Sequence, residues 1–187
     1  MQQLTGINAI VTQANNLVSK VIPDLSDYCG LTINVLQFLA TFCTIYVLTK
    51  VGRKSLTLFG NLALGLIDIA IGILFIFDKS TAYGYTIFGL LILYNIIYGI
   101  SLGPVVWLYV PEIIPAKIVP LATMMNWIGC SICVVFMPIA IDANDGNPYP
   151  VFLFFGAITL VFFLVNFMTM IETKGLSVKQ IAKRFHE

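Results

Sequence analysis

The side chains able to engage a ligand crowd into the first nineteen positions, and they are amides and hydroxyls rather than acids, bases or thiols. Placed on a helix at about 100° per residue, Gln2, Thr5, Asn8, Thr12, Asn15, Asn16 and Ser19 fall within an arc of roughly 140°. Ile7, Ile10, Val11, Leu17 and Val18 take the remaining arc, and Gln3 and Gln13 fall outside the polar one. This pattern predicts a membrane helix with one side on a polar cavity. The alternative is an amphipathic helix lying on the membrane surface. Such helices usually carry Lys or Arg on the polar face, and residues 2–19 carry no charge. Gly6 permits a helix break, which would let Gln3 turn inward.

Two further features carry chemistry. Tyr98-Gly99-Ile100-Ser101-Leu102-Gly103-Pro104-Val105-Val106-Trp107 combines a proline, which lacks the backbone donor, with two glycines and a tryptophan. Interrupted helices of this kind line transport pathways, where freed backbone faces a cavity instead of lipid; the bland reading is a static proline kink. Asp68 is the one ionisable group deep inside an apolar run. Such a charge costs about 2.5–3.5 kcal/mol at a helix centre on insertion scales. It reads either as a buried protonated acid or as a pathway residue.

Covalent chemistry has no foothold. No nucleophile–base pair, phosphate loop or metal cluster stands out, and no cofactor is implied. Cys130 and Cys133 have CxxC spacing, but inside an apolar run, so with Cys29 and Cys43 they read as small packing residues. His186 sits in a charged tail without metal partners. Met1 is followed by Gln2 and Gln3 instead of a basic region and an apolar core, so no cleavable signal peptide is expected.

The elements that must position these groups follow from composition. Of 187 residues, 59% are hydrophobic and only 10% charged, and the mean hydropathy is +0.94. A water-exposed surface needs more charge than this, which excludes a soluble globular domain, and a net charge of +1 gives nucleic acid no basic face to bind. Charges and turn residues divide the chain into spans of about 2–22, 28–49, 55–77, 83–110, 118–141 and 149–171, with a tail over 172–187. All should be helices, since a helix satisfies its own backbone in lipid.

Loop charges then fix a topology. Lys50, Arg53, Lys54, Lys117, Lys174, Lys179, Lys183 and Arg184 fall on one side. Lys20 and Lys79 fall on the other with Asp24, Asp27, Asp78, Asp142 and Asp145. Eight Lys/Arg against two put the first set in the cytoplasm by the positive-inside rule. Both ends of the chain are then cytoplasmic, as six spans require.

Six short motifs, in order, resemble the sugar porters of the major facilitator superfamily. Gln2-Gln3-Leu4-Thr5-Gly6-Ile7-Asn8 resembles the start of that family's seventh helix, and Gly52-Arg53-Lys54 its loop between helices eight and nine. Gly103-Pro104-Val105-Val106-Trp107, followed by Pro111-Glu112-Ile113-Ile114-Pro115, resembles the tenth helix. Asn126-Trp127 resembles a pair in the eleventh, and Glu172-Thr173-Lys174-Gly175-Leu176-Ser177 the segment after the last helix. The combination looks most like hexose transporters.

The resemblance implies an all-α membrane protein of six transmembrane helices, one half of a major facilitator fold. It also implies sugar transport by alternating access, as the C-terminal half of a twelve-helix carrier whose N-terminal half is the missing partner. A truncated gene product and residence in the plasma membrane are the accompanying expectations. The rivals are a non-transporting membrane fragment and a facilitator for polyols or another small solute.

By the same resemblance Gln2, Gln3 and Asn8 would hydrogen-bond sugar hydroxyls, for which amides offer both donors and an acceptor. Gln37 would take the place of an asparagine in the eighth helix, Trp107 would stack on the sugar, and Asn126 would add a polar contact. Gly52, Arg53, Lys54, Pro104, Glu112 and Glu172 would belong to the gating and cytoplasmic motifs. Two positions depart from the family: Gly99 stands where a glutamate is common, and Val119 where an arginine is. A reduced cytoplasmic charge network is therefore expected.

Overall fold

The computed structural model describes residues 2–19, 22–23, 26–77 and 81–184. Lys20, Asp24, Asp78, Lys79 and His186, which entered the charge and metal arguments, lie outside them. A short 3-10 helix, Gln2–Thr5, leads into α1 (Ile7–Ser19). Then follow α2 (Ser26–Lys50), α3 (Arg53–Ile76), α4 (Thr81–Ile100), α5 (Leu102–Ile113), α6 (Val119–Asp142), α7 (Tyr149–Thr169) and α8 (Val178–Arg184). No strand occurs among the described residues.

Five segments are long and apolar enough to cross a membrane: Tyr28–Lys50, Arg53–Ile76, Tyr83–Ile113, Val119–Asp142 and Tyr149–Thr169. The third contains both α4 and α5, so one span is built from two helices. The first expected span is different. α1 has 13 residues, about 20 Å of rise, too short to join that group of five. The 3-10 turn extends it to form the sixth element of the bundle. The tail, read from sequence only as a tail, contains the short helix α8.

The break before α1 is a glycine break. Gly6 has φ +81°, a left-handed conformation that costs glycine little, and the Phe155 ring lies where a Cβ would stand, 2.6 Å from its Cδ2. The buried Tyr94 hydroxyl of α4 donates to the Thr5 carbonyl at this joint. Ile7, Ile10, Ala14 and Leu17 then pack into the core with Leu64, Ile71, Leu91 and Phe152.

The second break lies at Ser101 (φ −111°, ψ −94°), three residues ahead of Pro104. Pro104 therefore sits in the first turn of α5, where a missing donor costs least, and Pro111 lies near the other end of the helix. The sequence placed the interruption in the right stretch; the bend itself falls at the serine. Thr44 Oγ1 of α2 donates to the Gly99 carbonyl just before this break, at 2.9 Å.

α3 and α7 approach closely through small residues. A Cβ on Gly156 would lie 2.7 Å from Ile69 Cγ1 and 3.0 Å from the Gly65 carbonyl oxygen, and close backbone approach of this kind holds helices together where lipid supplies no hydrophobic drive. The outer faces are apolar: Leu31, Phe38 and Phe42 of α2, Ile132 and Ile139 of α6, and Leu164, Phe167 and Met168 of α7 are all exposed. Surface of this composition fits a hydrocarbon solvent; the chain is an integral membrane protein.

Asp68 is fully buried on α3, as are Asn61 one heptad before it, Asn95 on α4 and Thr159 on α7. Both Asp68 carboxyl oxygens lack a hydrogen-bond partner in the structure.

Candidate functional site

A cavity of about 250 Å³ opens beside the break at Gly6. Gln2, Gln3 and Asn8 come from the 3-10 turn and α1, Asn34 and Gln37 from α2, Tyr98 from α4, Trp107 from α5 and Trp127 from α6, with Ile7 and Val11 completing the lining. The turn at Gly6 brings Gln3 to this cavity although an unbroken helix would carry it away. Asn8 Nδ2 donates to Gln3 Oε1, so the two amides hold each other in place. Gln2 Nε2 reaches across to the Leu102 and Gly103 carbonyl oxygens, 3.2 Å from each, and ties the first helix break to the start of α5.

Five of the six residues expected to meet a ligand thus share one cavity: Gln2, Gln3, Asn8, Gln37 and Trp107. The sixth, Asn126, lies elsewhere. It faces a larger, mainly apolar cavity of about 610 Å³ between α3, α5, α6 and α7, which shares Gln2 with the first. Its neighbour Trp127 lines the central cavity instead.

Asn34, Tyr98 and Trp127 went unassigned from sequence. Asn34 lies one turn from Gln37, and that spacing was the available signal. Its Nδ2 donates to the Gly30 carbonyl at 2.8 Å, leaving its carbonyl oxygen for another donor. Among the described residues no Asp, Glu, Lys, Arg or His lines the cavity. Its chemistry is that of amide groups beside indole and phenol rings, suited to a neutral solute with hydroxyls on its edge and C–H groups on its face.

A second constellation closes one end of the bundle. Arg53 Nη2 pairs with Glu112 Oε1 at 3.0 Å, joining the start of α3 to the end of α5. The other Glu112 oxygen accepts the Thr173 hydroxyl. Glu172 accepts the backbone N–H of Arg53 at 2.8 Å, of Lys54 at 3.1 Å and of Lys174 at 3.0 Å. These bonds bring its carboxylate to the N-terminus of α3, where unpaired donors and the helix dipole favour an anion.

Gly52 leaves room for that carboxylate, which occupies the place a Cβ would take. Lys54 Nζ lies 5.8 Å from the centre of the Phe167 ring. The Tyr109 hydroxyl donates to the Ile171 carbonyl at 3.1 Å and accepts its N–H at 3.2 Å. A network of Arg53, Glu112 and Glu172 therefore forms with Gly99 and Val119 in place. Thr173 and Tyr109 were not singled out from sequence.

Comparisons with known proteins agree with this architecture. The family model described as "Sugar (and other) transporter" matches residues 1–185. Hexose transporter 1 of Plasmodium vivax (strain Brazil I) is 32% identical over 181 residues, covering 94% of this chain and 36% of the relative. Hexose transporter 1 of Toxoplasma gondii is 30% identical over 191 residues, covering 96% and 32%. The chain thus spans about a third of the length of these relatives. Among solved structures, the major facilitator superfamily proton:xylose symporter XylE, bound to 6-bromo-6-deoxy-D-glucose, matches with a TM-score of 0.83 and 21% identity. The match covers 98% of this chain and 40% of that one. The solved structure shares its fold with this chain, and with a family match along nearly its whole length the chain belongs to the sugar (and other) transporter family.

Proposed function

We propose that the chain forms the C-terminal six-helix bundle of a carrier that moves a hexose by alternating access, with a six-helix N-terminal bundle as the opposite wall. The observation that carries this reading is the central cavity, where amides from two helices meet two indole rings and no described lining residue is charged. In the proposed cycle Gln3, Asn8 and Gln37 exchange hydrogen bonds with sugar hydroxyls, and Trp107 covers the apolar face of the ring. No covalent step is involved.

Beyond the cavity residue Asn8, α1 leaves Thr12, Asn15, Asn16 and Ser19 exposed, a polar face for which an opposite bundle is the proposed cover. One bundle therefore cannot enclose a solute from both sides, and rocking of two bundles about a shared site is what transport requires. The end that carries Arg53, Glu112 and Glu172 is assigned to the cytoplasm from the eight-to-two Lys/Arg asymmetry, with the plasma membrane as the residence. The Arg53–Glu112 pair would then hold the inner gate. The names of the relatives, hexose transporters both, support the substrate class.

The test is uptake of labelled hexose into liposomes. The chain alone should give no saturable uptake, and the chain joined in frame to an N-terminal six-helix bundle of the family should give uptake that unlabelled hexose competes. Competable uptake by the chain alone would overturn the two-bundle reading. Absence of uptake from folded, joined protein would leave the non-transporting fragment as the correct one.

A further inference from the structure

A third cavity lies at the end of the bundle away from Arg53. It measures about 290 Å³ and is lined by Gln13, Asn16, Leu17 and Ser19 of α1 and by Pro138, Ile141 and Asp142 of α6. Its position at that end is fixed by the α6–α7 turn, where Asn147 Nδ2 donates to the Phe75 carbonyl near the last turn of α3, at 3.4 Å. Leu17 and Ile141 belong to the buried core and make a rigid apolar floor. Above it Asn16 Nδ2 donates to Gln13 Oε1 at 2.8 Å, and the Ser19 hydroxyl donates to the Asn16 carbonyl at 3.0 Å. The Gln13 NH2, the Asn16 side-chain oxygen and the Asp142 carboxylate have no protein partner among the described residues. One amide donor, one amide acceptor and a carboxylate thus stand over an apolar surface.

We propose that this cavity is a second binding site for a neutral polyhydroxylated ligand, the same sugar class as the central site, with Asp142 accepting from a pair of adjacent hydroxyls. This cavity and the central one share a recipe of amides beside an apolar face, and among the described residues no cationic side chain lines either. They also share a path. Asn8, Thr12, Asn16 and Ser19 lie on one face of α1, and Asn8 and Asn16 are separated by about 12 Å of helix rise. A sugar leaving the second site meets hydroxyl and amide groups until it reaches the first. The proposal rests on the transport reading for its ligand class.

Thiol protection separates the two readings. Ser19→Cys and Asn16→Cys, each made in the full 187-residue chain in lipid nanodiscs, report the second site through their rate of modification by a water-soluble thiol reagent above the parent's rate. The two tryptophans, Trp107 and Trp127, both line the central cavity, so their fluorescence reports that site alone. Millimolar hexose should slow modification of either cysteine several-fold. The protection should persist in the Gln3→Ala, Asn8→Ala background and vanish with Asp142→Ala, while sodium or calcium chloride should not reproduce it.

Fluorescence quenching by hexose without protection of either cysteine would overturn the second site and leave the transport reading intact. Protection without a fluorescence change would support the second site and remove the central one. Protection that disappears with Gln3→Ala, Asn8→Ala, or that calcium gives and hexose does not, would overturn the proposal.

Discussion

Glu172 caps α3 from the far end of the chain: its carboxylate accepts the Arg53 backbone N–H at 2.8 Å across 119 residues of sequence. Arg53 is thereby held twice, by its backbone to Glu172 and by its guanidinium to Glu112 at 3.0 Å. The start of α3, the end of α5 and the segment after α7 meet at this one residue. Replacing Glu172 with Ala removes the acceptor for two first-turn N–H groups, and the expected loss is about 0.5–2 kcal/mol of stability, as for other lost helix caps. Glu172→Gln keeps one carbonyl oxygen and should lose less. Thermal unfolding of the purified protein in detergent measures both, and equal Tm values for parent and Glu172→Ala would show that the cap contributes nothing.

Arg53 and Glu112 should couple. Each side chain is partly exposed, at 20% and 28%, so the pair itself is expected to contribute no more than about 1 kcal/mol. Arg53→Lys should not restore it fully, because an ammonium lacks the planar fork of the guanidinium. A double-mutant cycle of Arg53→Ala and Glu112→Ala, read by unfolding, gives the coupling directly; strictly additive losses would contradict it.

In the proposed sugar site, Gln3→Ala and Asn8→Ala should each weaken hexose binding by about 1–3 kcal/mol, the cost of leaving a buried hydroxyl without its partner. Because the two amides are bonded to each other, the double variant should lose less than the sum. Asn34→Ala should also weaken binding, and Trp107→Ala should weaken it through lost ring contact. Titration of tryptophan fluorescence serves for the amide variants, with Trp127 as reporter when Trp107 is replaced. Unchanged affinity in folded Gln3→Ala and Asn8→Ala would remove the ligand from this cavity.

Asp68→Asn should leave hexose affinity close to that of the parent. Asp68 is fully buried on α3, it does not line the central cavity, and no cationic side chain pairs with it among the described residues. The amide keeps nearly the same shape. Affinity measured at several pH values decides the matter. A large loss in Asp68→Asn, together with a pH-dependent parent, would make Asp68 part of the transport pathway.

Gly156→Leu should separate α3 from α7. Its side chain would start 2.7 Å from Ile69 Cγ1 and 3.0 Å from the Gly65 carbonyl oxygen, so one backbone must move. The expected destabilisation is about 1–3 kcal/mol, as for overpacking elsewhere. Parent-like unfolding of Gly156→Leu would show that the close crossing is dispensable.

The parts of this molecule legible in its sequence are those where polarity contrasts with lipid. The amide and hydroxyl arc of α1, the charges that end each span and the Gly6 break all stand out against an apolar background. So does the stretch around Pro104, although the bend falls at Ser101. The illegible parts are those where the background hides them. In α2 the faces toward lipid and toward the bundle are both apolar, so the one-turn spacing of Asn34 and Gln37 is the sole sign that they share the cavity. In α6 Asn126 and Trp127 are adjacent, and only the rotation of the helix decides which of them reaches the central cavity. Thr173 and Tyr109 are equally silent, because their partners Glu112 and Ile171 lie some sixty residues distant.

The Gln2 amide has only two protons, and its nitrogen donates to the Leu102 and Gly103 carbonyls in the first turn of α5. A ligand that recruits either proton takes it from α5. Occupancy of the cavity and the shape of the neighbouring helix therefore draw on one limited stock of donors. The solute acts as a competitor for a latch: the more fully it engages Gln2, the less firmly α5 is fastened to the rest of the bundle.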